Sequence, residues 1–301
     1  METILLKGKL VSDQIKNHLS KSVEQLATGG IVPGLAVILV GNDPASEVYV
    51  RNKSREFYKM NCYSKTLRLT ADISETELIQ LIHQLNTDHK FHGILVQLPL
   101  PKHLDPQKVL FEISPEKDVD GFHPVNFGRL MEGSPGYIPC TPNGIIELMR
   151  YYKIKTAGRH AVIVGRSNIV GKPMFALLVQ KIETGNATVT LCHTRTHDIP
   201  YFTKQADILI VAAGSPRIIN GDMINQGVDI IDVGINRIKD DSEKGYHLEG
   251  DVDFESILGK ARSITPVPGG IGPMTITMLL SNTILSAKNK ILKTVNEPVS
   301  V

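Results

Sequence analysis

The sequence predicts an α/β protein with two lobes, each built around a parallel sheet. The chain has 301 residues, of which 42% are hydrophobic, and this is enough for two ordinary domains with buried cores. Short apolar runs that end in Gly or Pro alternate with amphipathic stretches, which is typical of β-α-β units. Segment 114–142 is rich in Gly, Pro and Asp and lacks a long periodic run, so we place the junction between the lobes there.

The predicted strands and helices follow from these patterns. Strands are predicted over 35–41, 64–69 and 93–101 in the first lobe, and over 160–165, 188–192, 207–214, 228–234 and 262–270 in the second. Helices are predicted over 46–59 and 74–88, from near Pro173 and from near Met274. In the second of these helices, Ser74 and Glu77 have the spacing of a capping box.

The terminal helix is apolar on more than one face, so we expect it to pack across both lobes. The domain assignment follows from this order of elements. Residues 1–121 are assigned to a first domain, with helix 274–290 packed back on it, and residues 140–272 to a second.

Charge and cysteine content disfavour several classes of protein. The 33 Lys and Arg nearly balance the 31 Asp and Glu, without basic or acidic blocks, so nothing indicates nucleic acid or an anionic membrane as a partner. Cys62, Cys140 and Cys192 are widely separated, which argues against a disulfide framework or a metal site. No run approaches the ~18 apolar residues of a membrane span, and we expect a cytoplasmic protein without a metal.

The run HAVIVGRSNIVGKPM, residues 160–174, predicts a phosphate-binding turn in the second lobe. Gly165 would allow a sharp turn after the strand, and Gly171 would let the backbone approach a pyrophosphate at the start of a helix. The spacing differs from G-x-G-x-x-G, so a strand-turn-helix without a ligand stays open on this motif alone. We interpret the second lobe as a Rossmann-like NAD(P)-binding lobe.

The residues after the next strand favour NADP over NAD. A site for NAD usually has Asp or Glu at the end of that strand, but here the sequence continues His-Thr-Arg-Thr. The first carboxylate is Asp198, which is placed to cap the next helix. Arg166 and Ser167 on the first turn then suit a phosphate on the ribose, although His193 or Arg195 could equally be solvated loop residues.

Two further turns, AAGSP at 212–216 and DVGINR at 232–237, follow the carboxyl ends of predicted strands. Open α/β sheets bind ligands at that edge, so the glycines in these turns could pass close to a cofactor. Glycine at a strand end is more often only part of a turn.

In the first lobe, Ser46, Tyr49 and Lys53 are spaced by three and four residues and share one face of the predicted helix. By itself this pattern is more often a solvated helix face. A Tyr-x-x-x-Lys pair is also found in short-chain dehydrogenases, where it follows the nucleotide turn. Here the pair precedes the turn by more than 100 residues, so a different scaffold must present it.

Polar residues near strand ends are the other candidates in this lobe. A lysine whose pKa is lowered by burial can act as a base, and Gln97 could position it without adding charge. Asp120 would suit a ligand that offers several N–H donors. Gln97 could instead bond to the backbone, and Asp118 or Asp120 could form an Asx-turn.

Taken together, the motifs resemble the bifunctional methylenetetrahydrofolate dehydrogenase/methenyltetrahydrofolate cyclohydrolase family. The resemblance runs from about Gly41 to Leu280 and rests on VGNDPASEVYVRNK, GILVQLPLP, KDVDGFHP, PCTP, GRSNIVGKP, DVGIN, GDVDF and TPVPGGIGPMT. KDVDGFHP and TPVPGGIGPMT are its most specific blocks. The resemblance implies a homodimer that uses NADP and tetrahydrofolate derivatives.

The resemblance also implies roles for individual residues. Lys53 matches the catalytic lysine, Gln97 the residue that supports it, Tyr49 the aromatic partner of the folate and Asp120 the anchor of the pterin ring. The implied substrate-binding set is Ser46, Tyr49, Asp120, Pro268, Gly269 and Gly270, and the implied NADP-binding set is Gly165, Arg166, Ser167, Gly171, Thr194 and Ile235. The chain departs from the family pattern at Thr194, where Ser or Arg is frequent, and at Asn143, where a basic residue is common.

The implied chemistry is oxidation of 5,10-methylenetetrahydrofolate and then hydrolysis of the methenyl product to 10-formyltetrahydrofolate, within purine biosynthesis. Hydride removal leaves a cation delocalised over two nitrogens, so it needs placement more than acid or base. Hydrolysis needs a proton carrier, which Lys53 could be. The alternatives are a shikimate-type NADP dehydrogenase, a non-catalytic nucleotide-binding module, or a family member with one activity.

Overall fold

The computed structural model describes residues 2–242 and 245–296, with side chains up to residue 290. The chain divides into two compact units. The three-stranded unit consists of Gln14–Cys140 and the chain from Ile276 onward, and the six-stranded unit consists of Met1–Asp13 and Thr141–Thr275. This division differs from the assignment made from sequence at the N-terminus, where the first 13 residues group with the later part of the chain.

The strands of the described residues are β1 Ile4–Leu5, β2 Gly34–Val40, β3 Tyr63–Leu69, β4 Gly93–Val96, β5 His160–Val164, β6 Thr188–Cys192, β7 Ile208–Val211, β8 Asp229–Asp232, β9 Asn236–Lys239, β10 Tyr246–Glu249 and β11 Ser263–Ile264. The α-helices are α1 Gly8–Thr28, α2 Pro44–Lys59, α3 Glu75–Thr87, α4 Pro106–Phe111, α5 Pro124–Glu132, α6 Cys140–Tyr151, α7 Gly171–Val179, α8 Ile199–Thr203, α9 Phe254–Ile257 and α10 Ile271–Asn296. A short 3₁₀ turn covers Gly221–Met223.

The three-stranded unit contains a parallel sheet in the order β3-β2-β4. Every residue of the central strand β2 is buried, as expected for a parallel strand that is covered on both faces. One face packs Leu35 and Val37 with α10 residues such as Met278 and Ile284. Alternate residues of β2 face the other way and pack with α3. Helix α10 therefore covers one face of this sheet and α3 covers the other.

The six-stranded unit contains a parallel sheet in the order β1-β11-β8-β7-β5-β6, with a separate antiparallel hairpin of β9 and β10. The chain order reverses at β5, because β6 pairs with it on one side and β7 on the other. That reversal is the topological switch point at which open α/β sheets bind ligands. The carboxyl ends of these strands therefore define the edge to inspect.

The amino ends of the same strands carry a buried charge cluster. Asp229 begins β8 and is 1% exposed. Its carboxylate accepts hydrogen bonds from Arg159 Nη1 at 2.9 Å, Arg262 Nε at 2.8 Å and Ser263 Oγ at 2.6 Å. A buried carboxylate is stable only when its charge is compensated, and here two guanidinium groups compensate it.

The α/β class, the two lobes, the parallel sheets, the eight predicted strands and the C-terminal helix are confirmed. The capping box of α3 is also present, since Ser74 accepts from the Glu77 amide and the Glu77 side chain accepts from the Ser74 amide. The sequence missed α1, β1 and the hairpin of β9 and β10. It also missed the helices α4, α6 and α9. Within segment 114–142, where no long periodic run was found, lies the short helix α5, bounded by Pro124 at its start and Gly133 with φ of 91° at its end.

Candidate active and cofactor sites

Helix α2 carries three of the candidate side chains of the three-stranded unit. The Asp43 side chain caps it by accepting from Ser46 N at 2.7 Å, and Pro44 occupies the first helical position. Ser46 is buried, Tyr49 is 38% exposed and Lys53 is partly buried. Their spacing of three and four residues places them on one face of this helix.

Lys53 and Gln97 lie in direct contact. Lys53 Nζ donates to Gln97 Oε1 at 3.0 Å. The amide is itself positioned by the backbone, because Gln97 Nε2 donates to the Leu98 carbonyl at 2.7 Å and Gln97 N donates to the Ile38 carbonyl at 2.9 Å. Gln97 directly follows β4, so the strand end directs an uncharged acceptor at the lysine.

Lys53 and Asp120 influence each other electrostatically. Burial lowers the pKa of Lys53 from its ordinary value, and the negative charge of Asp120 opposes that shift. Burial also raises the pKa of Asp120, which the Lys53 charge opposes. The lysine therefore reaches its neutral form more easily than a solvated lysine.

Cys140 also belongs to this cluster, although the sequence analysis did not select it. The Cys140 thiol is buried, donates to the Val119 carbonyl at 3.3 Å and interacts with Asp120. Burial raises the pKa of Cys140 well above its ordinary value, so it remains a thiol. Asn282 of α10 donates to the same Val119 carbonyl at 2.8 Å, and only the PCTP block marked this region in the sequence.

The two acids of the KDVDGFHP loop have different surroundings. Asp118 is buried, and its carboxylate accepts from Phe122 N at 3.1 Å, His123 N at 2.8 Å and Asn126 Nδ2 at 2.8 Å. Burial raises the pKa of Asp118 to about 6. Asp118 thus bonds to amides four and five residues further on, which differs from the two-residue spacing of an Asx-turn, and Asp120 interacts electrostatically with Lys53.

The turn between β5 and α7 requires glycine at two positions. Gly165 has φ of 129°, and a Cβ there would lie 2.2 Å from the Ala212 carbonyl oxygen. A Cβ at Gly171 would lie 2.0 Å from the Gly165 carbonyl oxygen. These contacts make a narrow backbone turn at the switch point, which fits close approach by a pyrophosphate.

Ser167 completes the start of α7. Val170 offers no side-chain cap, and Ser167 Oγ instead accepts from Val170 N at 3.0 Å and Gly171 N at 3.4 Å. The hydroxyl oxygen is used as an acceptor, so its hydrogen can be donated to an anion. Arg166 is exposed beside it, which adds a positive charge to the positive end of the helix.

The turn after β6 presents its side chains outward. Thr194 and Arg195 are exposed, while His193 N donates to Thr196 Oγ1 at 2.9 Å and Arg195 N donates to His193 Nδ1 at 3.1 Å. Asp198 caps α8 by accepting from Tyr201 N at 3.1 Å, which confirms the prediction for that residue. The carboxylate is thus used in the helix cap.

The remaining predicted positions lie in loops of the six-stranded unit. Ile235 is exposed after β8. In the loop after β11, Pro268 is exposed, the Gly269 carbonyl accepts from Lys9 N at 3.3 Å, and Gly270 N donates to the Pro266 carbonyl at 2.8 Å. The structure thus brings Lys53, Gln97 and Asp120 together in one unit and the 165–171 turn in the other.

The six-stranded unit has the sheet topology of dinucleotide-binding domains, and the three-stranded unit contains a lysine whose pKa is lowered by burial. Together these features define the class of protein as a two-domain enzyme that uses a nicotinamide dinucleotide. Family comparison makes this specific. The model of the tetrahydrofolate dehydrogenase/cyclohydrolase catalytic domain matches residues 6–120, and the model of the NAD(P)-binding domain of the same family matches residues 139–291. The chain belongs to the tetrahydrofolate dehydrogenase/cyclohydrolase family.

Similar proteins cover nearly the whole chain. A bifunctional protein FolD of Chlorobium phaeobacteroides is 53% identical over 286 residues, which are 94% of this chain and 97% of that protein. The crystal structure of the bifunctional enzyme FolD of Campylobacter jejuni is 48% identical, with a TM-score of 0.90 over 96% of this chain and 99% of that one. The FolD structure of Trypanosoma brucei, complexed with NADP cofactor and inhibitor, is 36% identical with a TM-score of 0.91 over 97% of this chain and 99% of that one.

These findings confirm the family resemblance and the prediction of a bifunctional enzyme, a dehydrogenase and a cyclohydrolase of tetrahydrofolate compounds. They do not favour the shikimate-type dehydrogenase or the non-catalytic module. In residues 2–242 and 245–296, no helix is long and apolar enough to cross a membrane. Within the same residues, no group of three or more His, Cys, Asp or Glu could bind a metal ion.

Proposed function

We propose that the chain oxidises 5,10-methylenetetrahydrofolate with NADP and hydrolyses the methenyl product to 10-formyltetrahydrofolate, with Lys53 as the residue that moves protons. The observation that carries this proposal is the hydrogen bond from Lys53 Nζ to Gln97 Oε1 at 3.0 Å, made by a lysine whose pKa burial lowers. The structure of the Trypanosoma brucei relative complexed with NADP supports the choice of cofactor.

The dehydrogenase step requires placement. NADP supplies the hydride acceptor when it is bound, and loss of hydride leaves a cation shared by two substrate nitrogens. No group has to take up a proton in this step, so the enzyme residues position the two reactants. Gly165 and Gly171 would let the backbone approach the pyrophosphate, and Ser167 can donate its free hydroxyl hydrogen to a phosphate oxygen.

The hydrolysis step requires a proton carrier. Water adds to the methenyl carbon, a C–O bond forms, and the proton leaves the attacking water. Neutral Lys53 accepts that proton and returns it to the ring nitrogen as the C–N bond breaks, and the second proton of the water leaves to solvent as the C=O bond of the formyl group forms. Gln97 orients the amine through an uncharged oxygen, so it does not favour the protonated lysine as strongly as a carboxylate would.

Substrate binding is assigned to the other residues near the lysine. Tyr49 exposes part of its ring on the Lys53 face of α2, which suits stacking on a flat pterin or aminobenzoyl ring. Asp120 offers a carboxylate for the N–H groups of the pterin, while Ser46 lies on the same helix face. By the family resemblance, Pro268, Gly269 and Gly270 in the loop after β11 are also assigned to substrate binding.

The preference for NADP is assigned to Arg166, Ser167 and Thr194, with Ile235 as an apolar neighbour of the cofactor. The turn after β6 offers exposed Thr194 and Arg195, and its carboxylate Asp198 caps α8. A phosphate on the ribose suits donors and positive charge at this edge. This explains binding of the phosphorylated cofactor without a ribose-binding acid.

The same resemblance supports a homodimer in the cytoplasm that supplies formyl groups for purine biosynthesis. It also supports a catalytic domain of residues 1–121 and a cofactor domain of residues 140–272. Helix 274–290 is proposed to pack on the first of these, and the contribution of Met278 and Ile284 to the core of the three-stranded unit supports that assignment. Light scattering on the purified protein would measure the mass of the assembly.

A paired assay tests the function. Methylenetetrahydrofolate is offered with NADP and separately with NAD, and the decay of added methenyltetrahydrofolate is followed without cofactor. We expect faster reduction of NADP than of NAD, and decay of the methenyl compound faster than in buffer. A folded protein that does neither would contradict the proposal.

A further inference from the structure

Two buried carboxylates lie at the carboxyl edge of the six-stranded sheet. Asp251 is 0% exposed and Asp232, the last residue of β8, is 3% exposed. Asp251 Oδ2 accepts from Ala213 N at 2.7 Å and Gly214 N at 2.8 Å. Asp251 Oδ1 accepts from Ser215 N at 3.1 Å. One carboxylate thus binds three successive backbone amides of the loop after β7.

The second carboxylate supports the first. Asp232 Oδ1 accepts from Gly234 N and Asp251 N, each at 2.9 Å, and Asp232 Oδ2 accepts from Val252 N at 3.0 Å. In the part of the chain that the structure describes, no Lys or Arg forms an ion pair with either acid. Backbone N–H groups therefore provide most of their compensation, as they do in anion-binding loops.

The backbone packs closely against both carboxylates. A Cβ at Gly250 would lie 1.8 Å from Asp232 Oδ2, and a Cβ at Gly234 would lie 2.3 Å from Asp251 Oδ1. Asn236 Nδ2 donates a fourth hydrogen bond to Asp251 Oδ1 at 2.8 Å. The carboxylate of Asp251 therefore has a single position, and the loop after β7 takes its conformation from it.

This loop lies beside the nucleotide turn. In a trans peptide the carbonyl points opposite to the following N–H, so the carbonyls of Ala212, Ala213 and Gly214 point away from Asp251. The Ala212 carbonyl oxygen is the atom that a Cβ at Gly165 would approach to 2.2 Å. The side of the loop on which the Ala212 carbonyl lies thus contacts the β5–α7 turn. Both segments follow neighbouring strands, β5 and β7, at the switch point of the sheet.

We infer that Asp251 is a positioning residue for the nicotinamide cofactor, since it orients the carbonyls of Ala213 and Gly214 as acceptors for the cofactor's hydroxyl or carboxamide donors. Asp251 does not touch the cofactor; it acts through the loop, and Asn236 and Asp232 fix its carboxylate. This inference rests on the proposed placement of NADP at the 165–171 turn.

The test compares cofactor binding with the reaction that needs no cofactor. Asp251→Asn leaves one acceptor oxygen for four donors and places an NH₂ group against backbone N–H groups. We expect the Kd for NADPH, measured by its own fluorescence, to rise about tenfold to a hundredfold. The KM for NADP should rise with it, while hydrolysis of methenyltetrahydrofolate without cofactor keeps a rate close to that of the wild type.

Asp229→Asn is the matched control, because it removes the same charge from a buried position at the amino end of β8, whereas Asp251 lies beside Asp232 at the carboxyl end of that strand. It should lower the melting temperature and leave the Kd for NADPH unchanged. If Asp251→Asn does not fold, Asn236→Ala decides the question, since it removes only one of the four donors. We expect a rise of the Kd by about threefold in that variant.

Wild-type affinity for NADPH in folded Asp251→Asn, or in Asn236→Ala if the first variant does not fold, would overturn the inference. Equal loss of NADPH binding in Asp229→Asn would also overturn it, because the effect would then follow from the loss of any buried acid in this sheet. If the wild-type protein does not bind NADPH, the proposed cofactor site itself is wrong.

Discussion

The three-stranded unit and the six-stranded unit form their candidate sites from different parts of the polypeptide. In the first, the important atoms are ends of side chains: the Lys53 amine, the Gln97 amide and the Asp120 carboxylate. In the second they are largely backbone groups, at Gly165, Gly171 and the loop that Asp251 orients. Burial lowers the pKa of Lys53 and raises that of Asp120 in the first unit, whereas the backbone groups of the second cannot titrate.

This difference matches the two kinds of step. A step that moves protons needs a group whose protonation changes near working pH, and only a side chain in a suitable environment provides one. A step that requires placement is served by fixed dipoles and a rigid turn. A substitution in one unit should therefore affect mainly one activity, and the following experiments test that separation.

The largest effect is expected from Lys53→Met. It should lower cyclohydrolase activity by about a hundredfold to ten-thousandfold, because the proton carrier is lost, while some dehydrogenase activity remains. Steady-state assays of both reactions measure the split. Lys59→Met is the matched control on the same helix, since Lys59 is exposed and pairs with Glu56. If Lys53→Met lost both activities equally while folate binding stayed intact, Lys53 would have a role other than proton transfer in hydrolysis.

Gly171→Ala should give the next largest effect, on the dehydrogenase. The new Cβ would lie 2.0 Å from the Gly165 carbonyl oxygen, so the turn must open. We expect kcat/KM for NADP to fall by at least about tenfold and cyclohydrolase activity to persist. Gly128→Ala is the control, because no atom lies within 4 Å of the Cβ that this substitution adds. Unchanged NADP kinetics in Gly171→Ala would argue against the β5–α7 turn as the pyrophosphate site.

The pH dependence of the cyclohydrolase should report the protonation of Lys53. Neutral Lys53 is the working form, so the rate rises with pH through a pKa that burial places below the ordinary lysine value. Gln97→Glu puts a negative charge beside Lys53 and raises its pKa, so the midpoint should move to higher pH by about one unit and the rate below it should fall about tenfold. The control Gln97→Met removes the hydrogen bond to Lys53 without adding charge, so it should not move the midpoint of the pH profile upward. If the midpoint did not move in Gln97→Glu, Lys53 would not be the group whose protonation controls the rate.

The smallest effect is expected on cofactor choice. Arg166→Ala and Arg195→Ala each remove an exposed charge near the proposed ribose phosphate, and at least one should lower the preference for NADP over NAD by about fivefold. The ratio of kcat/KM values for the two cofactors is the measurement. Arg150→Ala, in α6, is the control. If the preference for NADP over NAD were unchanged in both Arg166→Ala and Arg195→Ala, the ribose phosphate would not lie beside either arginine.

Sequence analysis could predict what local patterns encode. Apolar runs gave the strands, and the Ser74 and Glu77 spacing gave the cap of α3. Tyr49 and Lys53 were different, because their spacing alone is typical of a solvated helix face and only the family resemblance indicated their role. Their placement beside Gln97 depends on burial that spacing does not encode.

The missed residues act over long separations in the chain. Asn282 contacts the Val119 carbonyl 163 residues away, and Asp251 contacts loop amides 36 to 38 residues away. The partners of Asn282 and Asp251 are backbone carbonyl and amide groups. Because every residue has these groups, the residue type at the partner position does not indicate the contact. The hairpin of β9 and β10 was missed because its residues alternate between exposed and partly buried and lack a strong apolar run.

The last helix and the first strand have a consequence for the order in which the chain can fold during synthesis. The core of the three-stranded unit includes α10, which follows the strands of that unit by more than 170 residues of sequence, at Ile271–Asn296 compared with β4 at Gly93–Val96. The six-stranded sheet pairs β1, near the first residue, with β11 at Ser263–Ile264. Domains usually fold as units while synthesis proceeds, but neither unit of this chain can complete its structure until most of the polypeptide has left the ribosome. The early strands must therefore remain soluble while they await partners from the other end of the chain.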